Sequence, residues 1–228
     1  MAMTLDKVVP WGRSLDEYVS MFDLTDEHLS QRILGCADGP ASFNSEMKQR
    51  GHQVISCDPV YHFSAAEIAR RIDETYDHIM SQVQKSKQDY VWGVIPSPAE
   101  LGRVRMAAMQ TFLADYALGK QEGRYLAESL PHLPFANKQF DLALCSHFLF
   151  LYSQQLSLAF HLAAIQEMCR VAKEVRIFPL LDLHCNPSPH RKPTTLALRQ
   201  AGWHLEIRNV PYEFQRGGNA MMRIWSAF

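Results

Sequence analysis

The chain has 228 residues, 47% of them hydrophobic and 21% charged, with a formal net charge of −1. That length suits one large domain or two small ones with a sizeable core, and the balanced charge leaves no overall electrostatic footprint for nucleic acid or an anionic membrane. No apolar run approaches the ~18 residues of a membrane span, and residues 1–10, with Asp6 and Lys7, lack the apolar core of a secretory signal.

The first signals along the chain are helical. Ser14 and Glu17 bracket a capping box, and Thr25 is placed to cap a short helix reaching Ser30. An apolar run over 33–36 reads as a strand. A turn with Asp38, Gly39 and Pro40 follows, then a helix through Arg50 that stops at Gly51. Residues 54–57 make a second strand, so 32–58 reads as one βαβ unit. Ile68, Ile72, Tyr76, Ile79 and Val83 recur at steps of three and four, the spacing of an amphipathic helix within 64–88. A break over 90–98 precedes a helix predicted over 99–118. This two-helix stretch is long for a link between neighbouring strands and reads as an insertion or cover. Strands are predicted over 123–127, 140–145 and 175–181, with a helix over 156–172 between the last two. A helix over 192–201 ends at Gly202, and 203–210 with 220–228 are expected to form an antiparallel pair. This alternation implies a mostly parallel sheet covered on both faces. One domain over 1–228 accounts for it, with 1–30 as an N-terminal helical cap and 62–121 as a helical insertion.

Of the cysteines, Cys36, Cys57 and Cys145 end predicted strands, while Cys169 and Cys185 lie elsewhere, and none forms a CxxC pair. Buried, reduced thiols and a cytoplasmic compartment are expected, rather than a zinc site or disulfide framework.

In an open α/β sheet, ligands bind past the carboxyl ends of the strands. The turn after the first predicted strand carries Gly35, Ala37, Asp38, Gly39 and Ala41. Its small side chains let a ligand approach the backbone closely. Asp58 ends the second strand, at the ~20-residue spacing from the turn at which a carboxylate accepts hydrogen bonds from ribose hydroxyls. The turn lacks the G-x-G-x-x-G of a nicotinamide dinucleotide site, the nearest rival, and has no Gly-Lys-Ser/Thr of a P-loop.

Residues 33–43, ILGCADGPASF, resemble the glycine-rich first motif of class I S-adenosylmethionine-dependent methyltransferases of the type 11 kind, in a degenerate form. Cys57 and Asp58 resemble that family's ribose-binding acidic position. Residues 133–147, LPFANKQFDLALCSH, are similar to its fourth-strand stretch, and 166–173 to the helix leading into its fifth strand. The sequence departs from the pattern at Gly35, where an acidic residue is common, and at Ala37 and Ala41, which replace glycines. The glycine pair ahead of the fifth strand is missing, and Ser129 stands near the usual partner of the adenine amino group, with Glu128 beside it.

The resemblance implies an α/β, Rossmann-like, seven-stranded, mostly parallel sheet with helices on both faces, the last strand antiparallel, and a helical insertion after strand 2. It implies S-adenosylmethionine as the cofactor. Gly35, Ala37, Asp38 and Gly39 would cradle it in the first turn, Asp58 and Pro59 at the ribose, Ser129 and Leu130 near the base, and Cys145 with Ser146 past the fourth strand. Arg13 can pair with the methionine carboxylate, a surface role being the alternative. His147 is the candidate for handling an acceptor proton, an ordinary loop role being as well supported. Asp182 and His184 have metal-ligand spacing but no evident third ligand, so no metal is expected. Residues 212–219 are suspected of lining the substrate side, a structural turn being the even alternative.

The expected function is transfer of a methyl group by in-line displacement, which needs alignment more than a catalytic signature. The acceptor is unidentified, with a small molecule favoured. Residues 64–118 and the N-terminal segment are the candidates for its lid or pocket, a second copy of the chain is a further candidate partner, and no membrane or nucleic-acid partner is indicated. The alternative is a catalytically inactive relative of the fold that serves as a binding or regulatory module.

Overall fold

Ser14 caps α1 (Leu15–Phe22) through a capping box with Glu17, and Thr25 caps α2 (Asp26–Leu29), where His28 takes the place of the usual acid. The computed structural model describes residues 9–226. Most of the segment inspected for a secretory signal, and the end of the strand predicted over 220–228, therefore lie outside the described residues. β1 (Ile33–Cys36), α3 (Phe43–Gln49) and β2 (Val54–Cys57) follow as the βαβ unit read from the sequence. Ser64 caps α4 (Ala65–Lys85), which buries Ile68, Ile72, Ile79 and Val83. α5 (Pro98–Gln121) extends beyond the predicted 99–118, because Ser97 caps it and proline fits a first helical turn.

β3 (Tyr125–Leu126) is only a short piece of the strand expected over 123–127. Side chains hold it where the ladder is short. Arg124 makes two 2.7 Å bonds to Asp115 and one of 2.8 Å to Asn44 Oδ1, and Asn44 Nδ2 donates to the carbonyls of Val54 and Arg124. β4 (Phe140–Ser146), α6 (Leu158–Val171) and β5 (Ala172–Phe178) come next. β5 starts before the predicted position because α6 runs straight into it, and it stops at Pro179, which has no N–H to donate. α7 (Arg191–Gln200), β6 (Trp203–Asn209) and β7 (Ala220–Ser226) complete the chain.

The seven strands form one sheet in the order β3-β2-β1-β4-β5-β7-β6. Neighbours from β3 to β5 are parallel, and β7 runs antiparallel to both β5 and β6. This is the Rossmann-like α/β architecture that the sequence implied. α6 packs on one face through Ala164, Ile165 and Met168, and α1 and α3 on the other through Tyr18, Phe22, Phe43 and Met47. Within the two-helix stretch, α5 packs on α3 and β3 and supplies the crossover that parallel β2 and β3 require; α4 is the added element.

α1 is fixed to the sheet from below. Arg176 on β5, 1% exposed, donates to the carbonyls of Phe22 (2.6 Å) and Asp23 (3.2 Å). A cation at a helix C-terminus satisfies carbonyls that have no helical partner and complements the helix dipole. This anchoring sets where α1 presents Glu17 and Tyr18.

Candidate functional site

Strand order reverses between β1 and β4, and the carboxyl ends of β1, β2 and β4 open there into a crevice, the place where open α/β sheets bind ligands. The turn after β1 holds two left-handed residues, Ala37 at φ 57° and Gly39 at φ 55°. A positive φ is strained for alanine, and such strain gathers where the surroundings over-determine the backbone. Here they do. Ala37 N–H donates to the Cys57 carbonyl at 2.8 Å, and Asp58 Oδ2 accepts the Gly39 N–H at 2.8 Å. The Gly39 carbonyl accepts the Tyr61 hydroxyl at 2.7 Å. Asp58 Oδ1 accepts the Val60 N–H at 2.8 Å. The acid and the glycine turn, apart in sequence, thus form one clasp.

Two adjoining cavities sit over this clasp. The larger, about 410 Å³, is floored by Cys36 and Cys57 and walled by Asp58, Pro59, Val60, Leu130 and Leu133. The smaller, about 100 Å³, is bounded by Arg13, Tyr18, Asp38, Ser146, His147 and Tyr152. Val9, Ala37, Gly39, Asp58 and Phe148 line both, so the two join across the turn. The larger volume falls within the range of small-molecule sites.

The charges nearby are unusual. Burial raises the Asp58 carboxyl to about 6, against the opposing effect of its two backbone hydrogen bonds. Burial raises Asp38 to about 6 as well, opposed by bonds from Ser56 and Tyr18. Behind the smaller cavity, Arg105 is 0% exposed and pairs with Glu17 at 2.5 Å, while Tyr212 donates to Glu17 Oε1 at 3.0 Å. Burial opposes ionisation of Glu17, but the Arg105 guanidinium holds its pKa below the ordinary value. Among the described residues, Arg13 has no such carboxylate of its own. It donates to the Trp11 carbonyl at 3.0 Å, its Nε is buried without a hydrogen-bond partner, and burial followed by repulsion from Arg105 lowers its pKa. Burial first, then the field of Arg13 and Arg105, pushes His147 well below its usual value. The imidazole is neutral and bonded through Nδ1 to Ser146 Oγ at 2.9 Å.

The structure brings most of the sequence-derived candidates together. Ala37, Gly39 and Asp58 border both cavities; Pro59, Ser129 and Leu130 border the larger one; Arg13, Asp38, Ser146 and His147 border the smaller. Gly35 and Cys145 reach neither. Gly35 lies beneath the Asp38 carboxylate, and Cys145 is 0% exposed and packed into the core on the α6 side. Asp182 spends Oδ1 on the backbone N–H groups of His184 and Asn186, which closes a local turn. None of residues 212–219 lines either cavity; Tyr212 instead braces Glu17, and Phe214 accepts the Val91 N–H. Phe63 and Arg71 were missed in the sequence reading. They come from the turn after β2 and from α4, and stand at the rim of the larger cavity. Only their nearness to Asp58 in sequence pointed to them.

A Cβ built on Gly39 meets nothing nearer than Asp58 Oδ2, at 3.9 Å, so the glycine is required for its φ and for open space above it. Gly39→Val should destabilise the fold by about 1–3 kcal/mol through the left-handed φ and weaken ligand binding at least about tenfold by filling the approach. Thermal unfolding and calorimetry check the two effects separately, and unchanged affinity would place the ligand elsewhere.

Among solved structures, the chain is similar to magnesium protoporphyrin IX methyltransferase (ChlM) of Synechocystis PCC 6803, crystallised with bound SAM. The identity is 12%, with a TM-score of 0.46 over 93% of this chain and 78% of that one. It is also similar to a SAM-dependent methyltransferase of Aquifex aeolicus, at 14% identity and a TM-score of 0.42 over 92% and 91% of the two chains. No protein-family model matches the chain. Among curated proteins it is 30% identical over 223 residues to the uncharacterized protein MJ0045 of Methanocaldococcus jannaschii, covering 97% of this chain and 98% of that protein. The chain belongs to the same family as that archaeal protein.

Proposed function

We propose that the protein is an S-adenosylmethionine-dependent methyltransferase acting on a small molecule. The observation that carries this reading is the Asp58 clasp on Gly39 at the mouth of a cavity of about 410 Å³ past the ends of β1 and β2. Each Asp58 oxygen uses one acceptor position on a backbone N–H and keeps another for a ribose hydroxyl. Val60, Leu130, Leu133 and Phe148 give the purine apolar walls. Arg13 borders the smaller cavity and has no carboxylate partner among the described residues, so its guanidinium suits the amino-acid carboxylate of the same ligand.

The sulfonium supplies the electrophilic methyl group; the chain's residues bind, orient and exclude water. Trp11, Ile79, Leu151 and Leu183 add apolar wall to the smaller cavity beside its charged and polar groups. Burial and the field of Arg13 and Arg105 disfavour a charged His147, so its imidazole serves as a neutral hydrogen-bonding wall of the site and not as a strong base.

Calorimetry with S-adenosylmethionine and S-adenosylhomocysteine tests the cofactor assignment, and absence of heat from folded protein for both overturns it. Transfer of label from the methyl group into a small-molecule extract tests turnover. Binding without any transfer would favour the inactive, regulatory reading.

A pH dependence follows. Ribose hydroxyls donate to the ionised carboxylate, so binding favours deprotonated Asp58, whose carboxyl stands at about 6 in the free protein. Affinity should therefore be greatest above pH 6 and fall as pH drops through that value, approaching tenfold per unit. A flat profile between pH 5 and 8 would exclude Asp58 as the ribose ligand.

A further inference from the structure

Asp38 sits between the two left-handed residues of the turn, and its carboxylate does not face the cavity as a free acceptor. Oδ1 accepts the Tyr18 hydroxyl at 2.8 Å and Oδ2 accepts the Ser56 hydroxyl at 2.7 Å. Tyr18 belongs to α1 and stacks on Phe43 at a centroid distance of 4.3 Å; Ser56 belongs to β2. One side chain therefore ties together the N-terminal helix, the turn and the second strand. The room it occupies is the room of another residue. A Cβ on Gly35 would lie 1.7 Å from Asp38 Oδ2 and 2.5 Å from its Cγ. Position 35 is glycine because the carboxylate of residue 38 folds back into its side-chain space.

The segment upstream of Tyr18 lies against the same turn. Gly12 packs so tightly on the turn that a Cβ there would be 2.0 Å from the Pro40 carbonyl oxygen, and the Arg13 carbonyl accepts the Ser42 N–H at 3.0 Å. Trp11, Arg13 and Tyr18 all border the smaller cavity.

We propose that Asp38 is a positioning residue which bolts the N-terminal segment over the turn and so builds the subsite for the amino-acid arm of the adenosyl ligand, while the adenosine arm is held independently by Asp58. This rests on the adenosyl reading above. It separates two halves of one ligand: Tyr18, tied through Asp38, and Arg13 border only the smaller cavity, Pro59, Val60 and Leu130 border only the larger, and Asp58 stands where the two join.

The test compares S-adenosylhomocysteine with 5′-methylthioadenosine, which lacks the amino-acid arm, by calorimetry on the full chain. Asp38→Ala, and Tyr18→Phe as a milder variant that keeps the aromatic stack, should each weaken S-adenosylhomocysteine. The loss should be about tenfold or more for Asp38→Ala, as two hydrogen bonds to a buried carboxylate vanish. Both variants should leave 5′-methylthioadenosine within about twofold of the parent. A general loss of structure would weaken both ligands together, and that result, or no change in either, overturns the proposal. A parent protein that binds neither ligand overturns the adenosyl reading itself and this proposal with it. The shared space has its own readout: Gly35→Ala should lower the melting temperature of the parent and cost little in the Asp38→Ala background. Equal losses in the two backgrounds would show that the carboxylate does not occupy that space.

Discussion

Glu17→Ala should lower the free energy of unfolding by about 3–5 kcal/mol, the cost of leaving a buried charge without its partner. Glu17 is 9% exposed and Arg105 0%. Among the described residues, their 2.5 Å pair is the only carboxylate contact of either Arg105 or Arg13. Removing Glu17 leaves Arg105 and Arg13 repelling one another at a buried site, where charges are weakly screened. It also strips the capping bond from the Ser14 N–H and the acceptor from the Tyr212 hydroxyl. Urea unfolding measures the change, and a loss below 1 kcal/mol would show that the pair is not desolvated. The pH behaviour has a definite sign. The folded pKa of Glu17 lies below its ordinary value of 4.5, so its contribution is present above that value and is lost as pH falls through the depressed one. Glu17→Ala should therefore flatten part of the acid limb of the stability curve.

Asp58→Ala should weaken S-adenosylhomocysteine binding by about a hundredfold or more, since two hydrogen bonds to a carboxylate contribute about 1.5–3 kcal/mol each. Its effect on stability should be smaller, about 1–3 kcal/mol, because the Gly39 and Val60 N–H groups it releases border an open cavity and can be rehydrated. That contrast distinguishes it from Glu17→Ala, which acts on the fold first. A variant that keeps parental affinity would remove Asp58 from the site.

The strands and helices bounded by strong local chemistry were legible in the sequence. Ser14, Thr25 and Gly51 mark true ends, and the runs at 33–36 and 54–57 match β1 and β2 residue for residue. The spacing of Asp58 from the glycine turn brought it to the cavity as read, although its oxygens also hold the Gly39 and Val60 N–H groups, which the spacing did not show. What could not be read depends on contacts far apart in the chain. β3 is held by Arg124, Asp115 and Asn44 rather than by its own pattern, so its length had no local signal. The departure at Gly35 looked like a lost acidic group; in three dimensions a carboxylate from residue 38 fills that place. Arg13 was named from its chemistry, but the buried arginine beside it, Arg105, lies 88 residues from Glu17, and no periodicity joins them. Residues 212–219 looked like a substrate loop because they are rich in aromatic and amide groups, and they spend those groups on bracing.

Cys36 and Cys57 stand side by side, in register on adjacent parallel strands, beneath the larger cavity. Both thiols are pushed well up in pKa, by burial first and then, for Cys36, by the neighbouring Cys57 and Cys145 and, for Cys57, by Asp38, so they act as small uncharged bodies rather than nucleophiles. The depth of the cleft is thus set by two side chains that carry none of its polar chemistry. A ligand of different thickness can be accommodated by changing the floor, to alanine for more room or to a branched residue for less, while the clasp, the guanidinium and the imidazole on the walls stay where they are.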